Sequence, residues 1–88
     1  MNTPTAPTLA VRYFANLREV LGDTDTVTWS GGTVAELRAT LRARSPAHQE
    51  WLDPALAVHA AVNQRMVGES ARVEVGDEVA FFPPVTGG

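Results

Sequence analysis

The sequence predicts an α+β domain in which a five-stranded mixed sheet packs on one main helix. Three observations predict it. Short β-branched and aromatic runs with period-two alternation lie near both ends of the chain. One strong helix start, the capping box Thr33-Val34-Ala35-Glu36, stands between them. The elements then read in the order strand, helix, strand, helix, strand, strand, strand. With 88 residues the chain is too short for a second core, so one domain is expected over residues 8–82, after a leader over 1–7 and before an extended tail over 83–88.

The first strand is read over Thr8 to Phe14, with Leu9, Val11 and Tyr13 on one face and Arg12 on the other. Asn16 is expected to cap a two-turn helix whose Leu17, Val20 and Leu21 share a face, with Gly22 as a left-handed exit. Thr26-Val27-Thr28-Trp29 suits a second strand, ended by Ser30-Gly31-Gly32. The main helix starts at the capping box. Val34, Leu37 and Leu41 form its buried stripe, Arg38, Arg42 and Arg44 are placed toward water, and Pro46 forbids continuation beyond Ser45. Ala47 to Leu56 reads as a loop or a single helical turn, with Trp51 plugging a core edge. Val58, Ala60 and Val62 face inward on a third strand and His59 outward; Asn63-Gln64 makes a turn into a short fourth strand, Arg65-Met66-Val67. Gly68 to Val75 is irregular with Val73 as its one anchor, and Gly76-Asp77 turns into the fifth strand, Glu78 to Phe82.

Composition removes several kinds of chemistry. There is no cysteine, so a disulfide scaffold, a zinc–thiolate site, an iron–sulfur cluster and a cysteine nucleophile are all excluded. All seven basic residues are arginine, which leaves no side-chain amine for Schiff-base chemistry or for an isopeptide bond. Those arginines are scattered and the net charge is −3, so a nucleic-acid partner is not expected. No apolar run approaches the length of a spanning helix and the start has no charged-then-apolar pattern of a signal peptide, so a cytoplasmic protein without a membrane partner is expected. His48 and His59 have no partner at a metal-ligand spacing, and neither Ser45 nor Ser70 sits in a nucleophile elbow. Ser30-Gly31-Gly32-Thr33 lacks the lysine and length of a phosphate-binding loop and reads as a tight turn.

The unusual feature is the end of the chain. From Val79 onward no side chain is charged, and a strand with two phenylalanines runs straight into Pro83-Pro84-Val85-Thr86-Gly87-Gly88. The prolines cannot donate to a strand ladder and fix φ, so they favour a stiff, extended spacer. Six residues at ~3.3 Å each could carry the terminal carboxylate ~20 Å from the domain. Gly87 and Gly88 have no Cβ, so this end can enter a narrow channel with its last carbonyl carbon open to attack.

The stretch Gly76-Asp77-Glu78-Val79-Ala80-Phe81-Phe82-Pro83-Pro84-Val85-Thr86-Gly87-Gly88 resembles the C-terminal signature of the small sulfur-carrier subunits of molybdopterin synthase. Ala60-Ala61-Val62-Asn63-Gln64 and Phe14-Ala15-Asn16-Leu17-Arg18-Glu19 are similar to that family's internal motifs, in the same order. The resemblance runs from about Thr8 to Gly88; the leader through Pro7 and the region Ala47 to Leu56 depart from it. A terminal Gly-Gly by itself is shared by ubiquitin-like proteins and several sulfur carriers, whereas the full terminal stretch is far more specific.

What the resemblance implies is a ubiquitin-like β-grasp fold with no catalytic side chain of its own and no stably bound cofactor. A partner enzyme would adenylate Gly88 with ATP and magnesium, and a sulfurtransferase or cysteine desulfurase would supply the sulfur of a C-terminal thiocarboxylate. The tail would then deliver that sulfur inside the large catalytic subunit, in a heterotetramer, to cyclic pyranopterin monophosphate. Phe14, Met66 and Phe82, with Arg18 at the edge, match the family's partner surface; Phe14 and Phe82 also lie on the strand faces left over after core packing. Three other readings stay open at this point: a carrier for the thiazole of thiamine, a ubiquitin-like modifier conjugated through Gly88, and a binding module whose tail only wedges into a partner.

Overall fold

A computed structural model of the chain describes residues 7–84; most of the leader, and the tail residues Val85, Thr86, Gly87 and Gly88, lie outside the described residues. In chain order the elements are β1 (Thr8–Tyr13), α1 (Ala15–Leu21), β2 (Thr24–Thr28), β3 (Gly32–Thr33), α2 (Val34–Arg42), α3 (Pro46–Trp51), β4 (His59–Val62), β5 (Arg65–Val67), β6 (Arg72–Val73) and β7 (Val79–Phe82). Five strands form one mixed sheet in the order β2-β1-β7-β4-β5. The two central strands, β1 and β7, are parallel, and every other pair in the sheet is antiparallel.

Side-chain alternation decides which face of this sheet is buried. Leu9, Val11 and Tyr13 of β1 and Val79 and Phe81 of β7 point the same way, and all are buried. Against them pack Val34, Leu37 and Leu41 of α2, Leu17 of α1 and Leu52 just after α3. Each such side chain contributes roughly 1.5–3 kcal/mol by leaving water, so this single layer contact is the main source of stability. The capping box forms as expected: Glu36 N–H donates to Thr33 Oγ1 (3.2 Å) and Thr33 N–H donates to Glu36 Oε1 (2.8 Å). Asn63 and Gln64 both take positive φ, 50° and 69°, which is what a two-residue turn between β4 and β5 requires. Asn63 also ties that turn to β7, since its Oδ1 accepts from Glu78 N–H (3.0 Å) and its N–H donates to the Glu78 carbonyl (2.7 Å).

Several local expectations are corrected. Helix α1 starts at Ala15 with Phe14 as its N-cap and no side-chain cap bond, so Asn16 is inside the helix. Only Leu17 of its apolar residues is buried; Val20 is exposed, because a helix this short meets the sheet through a single turn. Gly22 has φ 97° but an extended ψ of 175°, so it leaves the helix by a route other than a left-handed helical residue. Strand β2 begins at Thr24 and ends before Trp29, whose indole N–H donates to the Val73 carbonyl (2.9 Å) in the core. Helix α2 stops at Arg42, and Pro46 begins α3, with Ser45 as its N-cap. Leu52, fully buried, is the plug of that region, with Trp51 packed partly buried beside it. Ala61 is buried as well as Ala60, although it lies on the opposite face of β4.

The largest correction is Arg38, which is 3% exposed instead of solvated. Its guanidinium donates to both Glu69 carboxylate oxygens (2.8 and 2.7 Å), to the Val58 carbonyl (2.9 Å) and to the Leu52 carbonyl (3.4 Å), and lies 5.2 Å from the Phe81 ring centre. Burial is tolerated because each of the three guanidinium nitrogens has an acceptor and the charge is paired with Glu69. Glycine at 32 is similarly explained: a Cβ there would come 3.0 Å from Trp29 Cζ2 and 3.1 Å from Glu36 Oε1, where β3 pairs with β6 in a small second ribbon.

Candidate functional site

The face of the sheet turned away from α2 is the candidate site, because β7 sets Phe82 on that face and leads straight from it into Pro83 and Pro84. Register sets one row straight across five strands: Thr24, Arg12, Ala80, Ala61 and Met66 are successive cross-strand partners and share the open face. Phe82, two residues on from Ala80, lies on the same face and pairs with His59. The middle of the row is floored by alanines. This leaves a hollow of about 150 Å³ lined by Arg12, Phe14, Ala61, Gln64, Glu78, Ala80 and Phe82.

Phe14 and Phe82 form the aromatic wall of this hollow. Their rings stack with centroids 4.7 Å apart and planes within 10°. Each is half-buried, since each covers one face of the other. Phe14 is held in place by its backbone: its N–H donates to the Phe81 carbonyl (3.2 Å), and the next residue, Ala15, turns at φ 54°. A left-handed alanine costs about 1–2 kcal/mol, and here it lets β1 pass into α1 without a loop. Met66, 61% exposed, sits across Ala61 on the edge strand β5. Arg18 is exposed at the opposite edge and pairs with Asp23. The open face thus brings together Phe14, Phe82 and Met66, with Arg18 at its border. Pro83 and Pro84 follow β7 without strand pairing, and Val85, Thr86, Gly87 and Gly88 lie outside the described residues.

Sequence reasoning missed the alanine floor and Arg12. The signal was present in the alternation: the positions that share a face with Phe82 and Phe14 are Ala80 and Arg12, and the β4 partner of Ala80 is Ala61. The Arg12 guanidinium lies 5.5 Å from the Phe14 ring centre.

A second polar cluster lies on the buried side of the sheet. Asp25 Oδ2 accepts from the Tyr13 hydroxyl (2.8 Å) and contacts His48 Nε2 (2.6 Å), while His48 Nδ1 contacts Ser45 Oγ (2.7 Å). Burial first, then the bond to Asp25 and its negative charge, push the Tyr13 phenol far above its ordinary range. Ser45 Oγ also accepts the His48 backbone N–H (3.1 Å), so it is occupied as the cap of α3. The cluster fastens α3 to β1 and β2. Among the described residues no group of three or more His, Cys, Asp or Glu side chains could hold a metal ion. No helix there is long and apolar enough to cross a membrane.

A five-stranded mixed sheet wrapped on one main helix, with its last strand running from an aromatic face into the C-terminal segment, defines a ubiquitin-like β-grasp protein. The ThiS family model matches residues 11–88, and the chain belongs to that family. It is 43% identical to the molybdopterin synthase sulfur carrier subunit of Escherichia coli K12, over 91% of this chain and 99% of that protein. It is 36% identical to the subunit of the same name from Haemophilus influenzae, with the same coverage of both chains. The crystal structure of SAMP1 from Haloferax volcanii superposes with a TM-score of 0.72 at 27% identity, covering 92% of this chain and 99% of that one.

Proposed function

We propose that this protein is a sulfur carrier of molybdenum cofactor biosynthesis, the small subunit of a molybdopterin synthase. The observation that carries the reading is its 43% identity, over nearly the full length of both chains, to a molybdopterin synthase sulfur carrier subunit. That likeness exceeds the 27% identity to SAMP1, so the carrier reading is preferred to protein modification.

The chemistry resides at Gly88, the end of the chain. A carboxylate is a poor electrophile, so one Gly88 oxygen first attacks the α-phosphate of magnesium-bound ATP in an activating enzyme, and pyrophosphate leaves. The terminal sulfur of a persulfide on a sulfurtransferase or cysteine desulfurase then attacks the acyl carbon and AMP leaves. A thiol of the donor system takes the inner sulfur as a disulfide, freeing the thiocarboxylate. In the large subunit the sulfur passes to cyclic pyranopterin monophosphate, and water restores the carboxylate. The carrier's own contribution is positional. The open face with Phe14, Phe82 and Met66, bordered by Arg18, docks on the partner, while Pro83, Pro84, Val85, Thr86 and Gly87 lead Gly88 to the reacting atoms. A chain without cysteine or lysine has no side-chain thiol or amine to attack its own activated terminus, which supports this reading. The use of ATP by the activating enzyme supports a cytoplasmic site of action, beside those partners.

The test is to delete Gly88, or to add one residue after it, and to assay sulfur transfer with purified partners. Loss of transfer with unchanged thermal unfolding is expected. Full activity in the extended variant would defeat the mechanism.

A further inference from the structure

The seven arginines of this chain are not equivalent. Five of them pair with carboxylates: Arg18 with Asp23, Arg38 with Glu69, Arg42 with Asp53, Arg44 with Asp25 and Arg72 with Glu74. Among the described residues Arg12 and Arg65 make no ion pair and no side-chain hydrogen bond, although the chain carries an excess of acidic groups and a net charge of −3. Arg65 pairs in register with Val62, one residue out of step with Met66, and so lies on the other face of β5. Arg12 stands on the open face, in the central row with Ala80 and Ala61, at the rim of the alanine-floored hollow. Glu78 lines the same hollow and yet does not engage it. The guanidinium instead rests over the Phe14 ring, 5.5 Å from its centre.

This geometry prepares the cation for an outside acceptor. Stacking on an aromatic face restrains a long side chain while leaving the N–H edge of the guanidinium without an acceptor. A planar fork held in that way matches a carboxylate, which can accept two of its donors at once. A neutral hydrogen-bond acceptor would leave the positive charge uncompensated beside an apolar contact, at a cost in desolvation. We propose that Arg12 is a specificity residue of the docking face, binding an aspartate or glutamate side chain of the protein partner next to an apolar partner side chain that fills the hollow over Ala61 and Ala80. The inference rests on the docking reading of the open face. It adds a charge requirement that the aromatic pair alone does not impose, because two stacked phenylalanines accept any apolar surface, whereas a guanidinium rejects a cation and demands an anion.

The experiment measures binding of the full-length carrier to the purified large synthase subunit from the same organism, at low and at raised ionic strength. Three variants are compared with the unaltered chain: Arg12→Leu, Arg12→Lys and, as a control for charge alone, Arg65→Leu. Arg12→Leu should weaken binding on the order of tenfold or more at low salt and should lose most of the salt dependence. Arg12→Lys should recover only part of the affinity, since it keeps the charge and loses the fork. Arg65→Leu should bind like the unaltered chain. A scan of Asp→Asn and Glu→Gln on the partner surface protected by the carrier should find one position whose effect vanishes in the Arg12→Leu background. Equal affinity of Arg12→Leu at low salt, or the absence of any coupled acidic position, overturns the inference while leaving docking through the aromatic pair intact. Failure of the unaltered carrier to bind the large subunit would instead overturn the docking reading itself, and this inference with it.

Discussion

Alanine at position 81 and alanine at position 82 should have opposite consequences, although the two phenylalanines are neighbours in one strand. Phe81 is fully buried, packed on Tyr13 with ring centres 6.4 Å apart and beneath the Arg38 guanidinium. Removing a buried phenylalanine costs about 3–5 kcal/mol through lost transfer energy and the cavity left behind. A domain of this size has roughly 4–13 kcal/mol of total stability, so Phe81→Ala removes a large share of it. With an unfolding entropy of about 0.18 kcal/mol/K for the whole chain, a loss of ~3 kcal/mol lowers Tm by about 15 °C. Phe82 is half-buried and its main contact is the Phe14 ring. A stacked pair contributes about 0.5–1.5 kcal/mol beyond area burial, so Phe82→Ala should cost about 1–2 kcal/mol. Its effect should appear in binding to the large subunit, where an aromatic anchor can account for 2 kcal/mol or more, about thirtyfold in Kd. Urea unfolding followed by circular dichroism, together with titration calorimetry against the large subunit, reads both quantities. If Phe82→Ala unfolds more easily than Phe81→Ala, or if only Phe81→Ala loses affinity, the two faces of β7 have been assigned the wrong way round.

Stability should fall at alkaline pH through one residue. Tyr13 is the only tyrosine in a chain that has no cysteine and no lysine, and its folded-state ionisation is pushed up by burial and by Asp25. Its stabilising contribution is therefore complete below the unfolded-state value near 10.0 and is lost as pH rises beyond it, at about 1.4 kcal/mol per pH unit. Denaturation midpoints from pH 8 to about 11 should show that decline in the unaltered chain and a flatter profile in Tyr13→Phe; parallel profiles would refute the assignment. Arg38→Met should destabilise the domain by about 2–4 kcal/mol, because the Leu52 and Val58 carbonyls lose a charged donor that nothing replaces; a Tm within about 2 °C of the unaltered value would show that its burial is incidental. Gly87→Val should block both adenylation and sulfur delivery while leaving the affinity for the large subunit nearly unchanged, since a β-branched side chain obstructs a narrow channel and restricts the backbone. Normal delivery by that variant would show that Gly87 is not required for access.

Elements whose geometry is set by near neighbours in sequence could be read directly. The alternation of β1 and β7 identified the buried face from Leu9, Val11, Tyr13, Val79 and Phe81, and the Thr33–Glu36 capping box placed the start of α2. The same alternation put Phe14 and Phe82 on the face left open. Features that depend on distant partners were not legible. Arg38, four residues after Val34 and three before Leu41, borders the buried stripe of α2; its charge made it read as solvent-facing, and only the arrival of Glu69, Val58 and Leu52 from elsewhere in the chain makes its burial stable. Asp25, Ser45 and His48 are unremarkable in their local sequence and meet only because α3 folds back toward β1 and β2. The ribbon of β3 and β6 is too short to leave a periodic signal. Pro46 was ambiguous by nature: the residue that cannot lie inside a helix is also favoured in a first turn, and here it opens α3 after α2 has already ended. The alanine floor of the hollow follows from register, which sets Ala80 beside Ala61 and cannot be read from either strand alone.

The most direct test of sulfur carriage is the intact mass of the protein recovered from its source cells, in the presence and in the absence of the activating enzyme. With the enzyme, a fraction of the chain should carry one sulfur in place of one oxygen, and fragmentation should place that change on Gly88. Without the enzyme, the fraction should disappear. A chain that never carries the exchange, or that is recovered joined through Gly88 to amines of other proteins, would contradict sulfur carriage.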